Sequence, residues 1–257
     1  MHILEGKVVV VTGASRGLGE AMAVGFATEG ATVVLAARTE SDLERVAQRC
    51  HQAGANAVLT VRTDVTQELD VEALAQSALD HFGSLDVFVA NAGVSPMSLS
   101  GAPANTLQSY GFDVVQRMFA VNAIGVWLCM KAAFSRMGAG GSFIAIGSGS
   151  PGATRGGMLA VTKGCVDTLV AIGATEMLEK GIRVNCLAPG GMADTHLFGP
   201  NKMPEYLKRL PASLEPESIV PAALWLASPD STDISGVQLT GTEFNSTGAQ
   251  GVRSRGH

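Results

Sequence analysis

A continuous rather than alternating apolar run, KVVVVTG at 7–13, leads straight into ASRGLG at 14–19. An uninterrupted β-branched run reads as a strand buried on both faces, which requires a sheet covered by helices on both sides. The glycines permit a tight turn and close backbone approach. The helix that starts there, expected from Gly17 to about Glu29, presents free N–H groups and the positive end of its dipole, a receptor for a pyrophosphate. A glycine triplet alone would serve any turn. Placed between a buried strand and a helix near the N-terminus, it reads as a phosphate cradle.

The same alternation continues along the chain. Strands are expected at 31–37, 56–61, 85–90, 142–147, 182–187 and 237–240, with helices at 39–52, 68–82, 112–137, 158–180 and 216–226. Repeated strand–helix–strand units demand right-handed crossovers and a parallel sheet. The expected fold is α/β: one Rossmann-type, doubly wound parallel sheet with helices on both faces, spanning 1–257 as a single domain. Its ligands should lie beyond the carboxyl ends of the strands. No linker or repeat divides the chain. A small, polar and basic tail at 246–257 is expected to be mobile.

Composition narrows the partners. A 46% apolar chain can bury a large core, and a net charge of −5 leaves no basic footprint for nucleic acid. Cys50, Cys129, Cys165 and Cys186 lie far apart with no CxxC pair, so neither a metal site nor a disulfide framework is expected. The N-terminus carries no secretory signal pattern. The most apolar stretch, 114–134, contains Gln116, Arg117, Asn122 and Lys131, which favours a buried helix of a soluble protein over a membrane span. A cytoplasmic protein with a small-molecule substrate, and neither a nucleic-acid nor a membrane partner, is the expectation.

TGASRGLG at 12–19 is similar to the TGxxxGxG loop of the short-chain dehydrogenases/reductases. The likeness continues in the family's order through Asp64-Val65, Asn91-Ala92-Gly93, Asn122, Ser148, Lys163 and Pro189-Gly190, and reaches Gly241. The resemblance implies a nicotinamide dinucleotide cofactor cradled by Gly13, Ser15, Arg16, Gly17, Leu18 and Gly19. It further implies that Asp64 bonds the adenine amine with Val65 beside the ring. Asn91 would steady the central strand, and Ala92 and Gly93 would pass close to the cofactor. Groups from Pro189 to Thr195 would receive the carboxamide and pyrophosphate, although PGGMADT is one residue longer than the usual PGxxxT, and the insertion at 192–210 would be the mobile substrate lid.

Strand two ends in Ala36-Ala37-Arg38. An acidic residue there would bind both ribose hydroxyls and repel a 2′-phosphate. Arg38, with Arg16, instead offers charge-assisted hydrogen bonds to that phosphate. NADP(H) is therefore expected over NAD(H), which stays possible.

The family's catalytic quartet is a serine, a tyrosine, a lysine and an asparagine. The resemblance assigns Ser148 (Ser150 second), Lys163 and Asn122, with Lys163 also holding the nicotinamide ribose. The tyrosine belongs four residues before the lysine, one helical turn away, and that position is Leu159. Leucine has no proton to give. The chain's tyrosines, Tyr110 and Tyr206, lie off this helix. The expected function is a carbonyl/alcohol oxidoreductase with a displaced proton donor: Ser148, a water held through Asn122 and Lys163, or Tyr206. A non-catalytic NADP(H)-binding protein, or an isomerase or lyase reusing the pocket, are the alternatives. Val94, Pro96, Met97, Gly149, Met158 and Met192 are expected as apolar walls. Apolar residues on several faces of 112–137 and 158–180, including Val114, Met118, Trp127, Met130 and Phe134, predict a homodimer or homotetramer.

Overall fold

The computed structural model describes residues 2–101, 106–148, 157–193, 195–199 and 213–253. Gly149, Ser150, Tyr206 and most of the expected 192–210 insertion lie outside them. Strands β1 (Val8–Thr12), β2 (Thr32–Ala37), β3 (Val58–Arg62), β4 (Val87–Ala90), β5 (Ser142–Ile146), β6 (Arg183–Ala188) and, late in the chain, β9 (Gln238–Thr240) form one sheet. Its order is β3-β2-β1-β4-β5-β6-β9, with every pairing parallel. Strands β1, β2, β4, β5 and β6 are buried along their whole length, as uninterrupted apolar runs require. Edge strand β3 is half-buried. Short β7 (Met192–Ala193) and β8 (Ser213–Leu214) pair apart from this sheet.

Helices cover both faces. Helices α1 (Gly17–Thr28) and α2 (Glu40–Ala53) share one core with the helix Val220–Ala227, around Met22, Phe26, Leu35 and Leu226. The opposite core collects α3 (Glu68–Phe82), the helical path 112–134 and α7 (Gly157–Met177). There Phe88 stacks on Phe143 at 5.6 Å and Phe134 meets Phe143 edge-on at 5.5 Å, two favourable aromatic geometries.

Several boundaries differ from expectation for identifiable reasons. The stretch expected as one helix at 112–137 is α5 (Phe112–Phe119), a π-helical turn at Ala120–Ile124, and α6 (Gly125–Phe134). The wide turn holds Asn122, whose side chain bonds out of the helix. The segment expected at 216–226 begins as a 3₁₀ turn, Pro216–Ile219, before Val220 starts the α-helix. A short helix, α4 (Pro96–Ser100), was not anticipated. Its Ser95–Ser98 capping box lies in the sequence, but the following apolar face is too short to show a period.

Gly241–Arg253 is helical with a break at Gly248. Arg253 bonds Asp233 at 3.0 Å and lies over Trp225 at 5.8 Å. These contacts come from residues twenty and twenty-eight positions upstream, which a local composition argument cannot see.

Candidate functional site

The sheet order reverses between β1 and β4, and a cavity of about 570 Å³ opens beyond their carboxyl ends, where a doubly wound sheet places its ligand. The glycine loop forms one wall. Gly13 and Gly17 have φ of 64° and 58°, a region that strains any other residue. Gly19 is needed for a different reason: a Cβ there would stand 2.3 Å from the Gly13 carbonyl oxygen and 2.5 Å from Asn91 Nδ2. Asn91 Nδ2 donates to the Thr12 carbonyl at 2.8 Å, while the Asn91 and Ala92 N–H groups donate to Thr12 Oγ1 at 3.0 and 3.2 Å. The β1 and β4 turns are thus locked together.

A brace behind the loop escaped the sequence reading. Arg45 on α2 donates to the Ser15 carbonyl at 2.8 Å and to Glu20 Oε1 at 2.5 Å, and Arg49 also bonds Glu20. Burial works against the Glu20 charge, but Arg45 and Arg49 outweigh it and hold the carboxyl below its usual range. The i, i+4 spacing of the two arginines marks a shared helix face. Their partner twenty-five and more residues away is not local information.

Of the residues matched to the family, Gly13, Ser15, Arg16, Gly17, Leu18, Arg38, Asp64, Val65, Asn91, Ala92, Gly93, Ser148, Leu159, Lys163 and Pro189 line the cavity. Gly19 and Asn122 lie behind its wall. Gly190 turns away, since a Cβ on it would meet Thr242 Oγ1 at 2.0 Å, and Gly191 lines the cavity in its place. Thr195 lies against the glycine loop despite the added residue in PGGMADT: a Cβ on Gly17 would stand 3.0 Å from Thr195 Cγ2. Of the expected apolar walls, Val94 and Met192 line the cavity, while Pro96, Met97 and Met158 do not.

At the β3 end, Asp64 Oδ1 accepts from the Thr66 N–H at 3.0 Å and its hydroxyl at 2.8 Å, and Arg117 approaches Oδ2 at 3.4 Å. Burial opposes the Asp64 charge, yet these donors hold the carboxyl below its usual range. At the β5 end, Asn122 Oδ1 accepts from Val94 N–H at 2.8 Å, and its Nδ2 donates to the Val94 carbonyl at 2.8 Å and to Thr162 Oγ1 at 3.1 Å. Buried Lys163 donates from Nζ to the Ile146 carbonyl at 2.5 Å. Burial pushes the Lys163 ammonium down from 10.5 to about 8, with Cys186 and Asp167 pulling the other way. Exposed Ser148 and half-buried Leu159 complete this end.

The cradle fits a dinucleotide: side-chain-free glycines under the diphosphate position, an acid at one end, and a lysine with amide and hydroxyl groups at the other. Fold and site together define a dinucleotide-binding protein of the doubly wound class. Residues 13–241 match the family model described as enoyl-(acyl carrier protein) reductase. The chain is similar to glucose 1-dehydrogenase 2 of Bacillus subtilis, 32% identical over 247 residues, covering 92% of this chain and 93% of that one. It is 35% identical over 244 residues to cis-4-hydroxycyclohexanecarboxylate dehydrogenase of Sinomonas cyclohexanicum, covering 91% and 94%. Its fold superposes on 3-ketoacyl-(acyl-carrier-protein) reductase of Brucella melitensis, solved with NADH, with a TM-score of 0.80, 30% identity, and coverage of 92% and 96%. The chain belongs to the short-chain dehydrogenase/reductase family and is an oxidoreductase of that type, a family that binds NAD(P)(H).

Lys163 carries a stability prediction. Lys163 titrates near 8 when folded against its ordinary 10.5, so between these values the unfolded chain holds more protons and stability from this site rises with pH. Below pH 8 the buried ammonium costs roughly 3 kcal/mol at about 1.4 kcal/mol per pKa unit. Its charge-assisted bond to the Ile146 carbonyl returns part of this, about 1.5–3 kcal/mol. Lys163→Met without cofactor should therefore melt a few degrees higher than wild type at pH 7 (about 2–4 °C per kcal/mol), with the gap closing as pH passes about 10. A lower melting temperature at pH 7 would contradict this balance.

Proposed function

We propose that the chain is an NADP(H)-dependent carbonyl reductase or alcohol dehydrogenase for an apolar small molecule, working without the family's phenol. The observation that carries this reading is one cavity joining the phosphate loop to Ser148, Leu159 and Lys163. Bound reduced nicotinamide supplies the hydride. Lys163 holds the ribose hydroxyls, the Ser148 hydroxyl donates to the substrate oxygen, and Leu159 offers an apolar surface with no proton. Val94, Leu99, Met192 and Leu197 add to an apolar wall. NADP(H) is favoured because exposed Arg16 and Arg38 line the cavity with no ion-pair partner among the described residues, leaving both guanidiniums to a phosphate.

The test is oxidation of NADPH by wild-type protein with a panel of ketones and aldehydes. Turnover on any of them supports the reading. Leu159 favours a second reading, an NADP(H)-binding protein without turnover. Tight NADPH binding with no oxidation by any carbonyl would select it.

The active unit in this reading is a homodimer or homotetramer. Phe112–Phe134 and Gly157–Met177 are long and apolar enough to cross a membrane by length and composition. In this fold the first is largely buried, but Ile124, Trp127, Val161 and Ile172 remain about half exposed. A second copy of the same helix pair, related by a two-fold axis, would cover that apolar surface. Light scattering at micromolar protein should give a dimer or tetramer mass. A monomer would rule the arrangement out.

A further inference from the structure

We propose that His196 is the proton donor, an inference that rests on the reading that Leu159 leaves the site without a phenol. His196 opens a 3₁₀ turn, His196–Phe198, and lines the same cavity as Ser148, Leu159 and Lys163. Its neighbours in sequence fix its place. Thr195 packs on Gly17 of the glycine loop, the Leu197 carbonyl accepts from Ser95 Oγ, and Gly199 approaches the Met97 carbonyl at 3.7 Å from its Cβ position. The His196 backbone is therefore held between the diphosphate turn and the segment that follows Gly93. A Cβ on Gly93 would itself lie 3.7 Å from Lys163 Nζ. Nδ1 of His196 is shielded from solvent.

Elimination points the same way. The ionisable side chains lining the cavity among the described residues are Arg16, Arg38, Asp64, Arg117, Lys163 and His196. Arg38, Asp64 and Arg117 gather at the β2 and β3 ends, with Arg117 on Asp64. Arg16 sits on the glycine loop, and a guanidinium does not release its proton. Lys163 Nζ donates to the Ile146 carbonyl and, in this reading, to the ribose hydroxyls, which takes up its three N–H donors. An imidazole ordinarily titrates near neutral pH, which suits a general acid. In the step it performs, the carbonyl carbon receives the hydride with both electrons and the carbonyl oxygen receives the imidazolium proton. The alcohol and oxidised nicotinamide leave, and solvent returns a proton to the imidazole.

The test compares wild type, His196→Gln, Leu159→Tyr and the double variant. It reads NADPH affinity by fluorescence, single-turnover ketone reduction against pH, and the His196 imidazole resonance with and without NADP⁺. His196→Gln should keep NADPH affinity, slow single turnover by about 10-fold or more, and erase the rate limb near neutral pH. In the Leu159→Tyr background the same change should have little effect, because the phenol then gives the proton. The His196 resonance should shift and titrate differently when NADP⁺ binds. Equal losses in both backgrounds, an unchanged wild-type rate, or an imidazole indifferent to NADP⁺ would overturn the assignment. An inactive wild type beside an active Leu159→Tyr would also overturn it while leaving the reductase pocket standing. If neither protein turns over, the oxidoreductase reading itself fails and takes His196 with it.

Discussion

Leu159→Tyr should raise NADPH-driven ketone reduction by about 10-fold or more, because a general acid is worth about 10²–10⁴-fold and His196 supplies part of that share in the wild type. Leu159 lines the cavity one helical turn before Lys163, and Lys163, Ser148 and Asn122 are already gathered at that end. A phenol at 159 would stand beside the Lys163 ammonium, an opposite charge that favours its ionised form. Tyrosine adds volume, and crowding against Met192 or Met158 would cost about 1–3 kcal/mol. Steady-state rates for both proteins, with melting curves to show that the variant folds, check the expectation. A folded, NADPH-binding variant with no gain on a broad carbonyl panel would mean that the pocket is not built for reduction.

Arg38→Asp should invert cofactor preference. Arg38 ends the β2 segment, is exposed, and lines the cavity beside Thr39 and Arg16. Removing its guanidinium forfeits a charge-assisted bond of about 1.5–3 kcal/mol, or roughly tenfold to a hundredfold in affinity at 1.4 kcal/mol per decade. The new carboxylate repels a 2′-phosphate and accepts from ribose hydroxyls instead. Titration of wild type should show NADPH bound more tightly than NADH, and the variant the reverse. Equal wild-type affinities would remove Arg38 from cofactor selection.

The sheet was legible because fully buried parallel strands announce themselves as unbroken apolar runs. Val8–Thr12, Thr32–Ala37 and Ser142–Ile146 read directly as strands. The cradle was legible because its glycines, Asp64 and Asn91 stand at the ends of those runs. What stayed hidden depends on contacts between distant residues. Arg45 bracing the Ser15 carbonyl, the helical tail tied down through Arg253, and the seating of Thr195 against Gly17 have no local pattern. Gly190 illustrates the converse: its place beside Pro189 matched the family, yet Gly191 lines the cavity instead, and a Cβ on Gly190 would meet Thr242. His196 carried no signal beyond being a lone histidine after a lengthened loop.

The most direct measurement is transfer of deuterium from NADPH labelled at C4 to the product alcohol, run with wild-type protein and with Leu159→Tyr on the same ketones. Label is expected at the carbinol carbon with both proteins, slowly for wild type and at least about tenfold faster for the variant. Tight NADPH binding with no label in any product from either protein would contradict it.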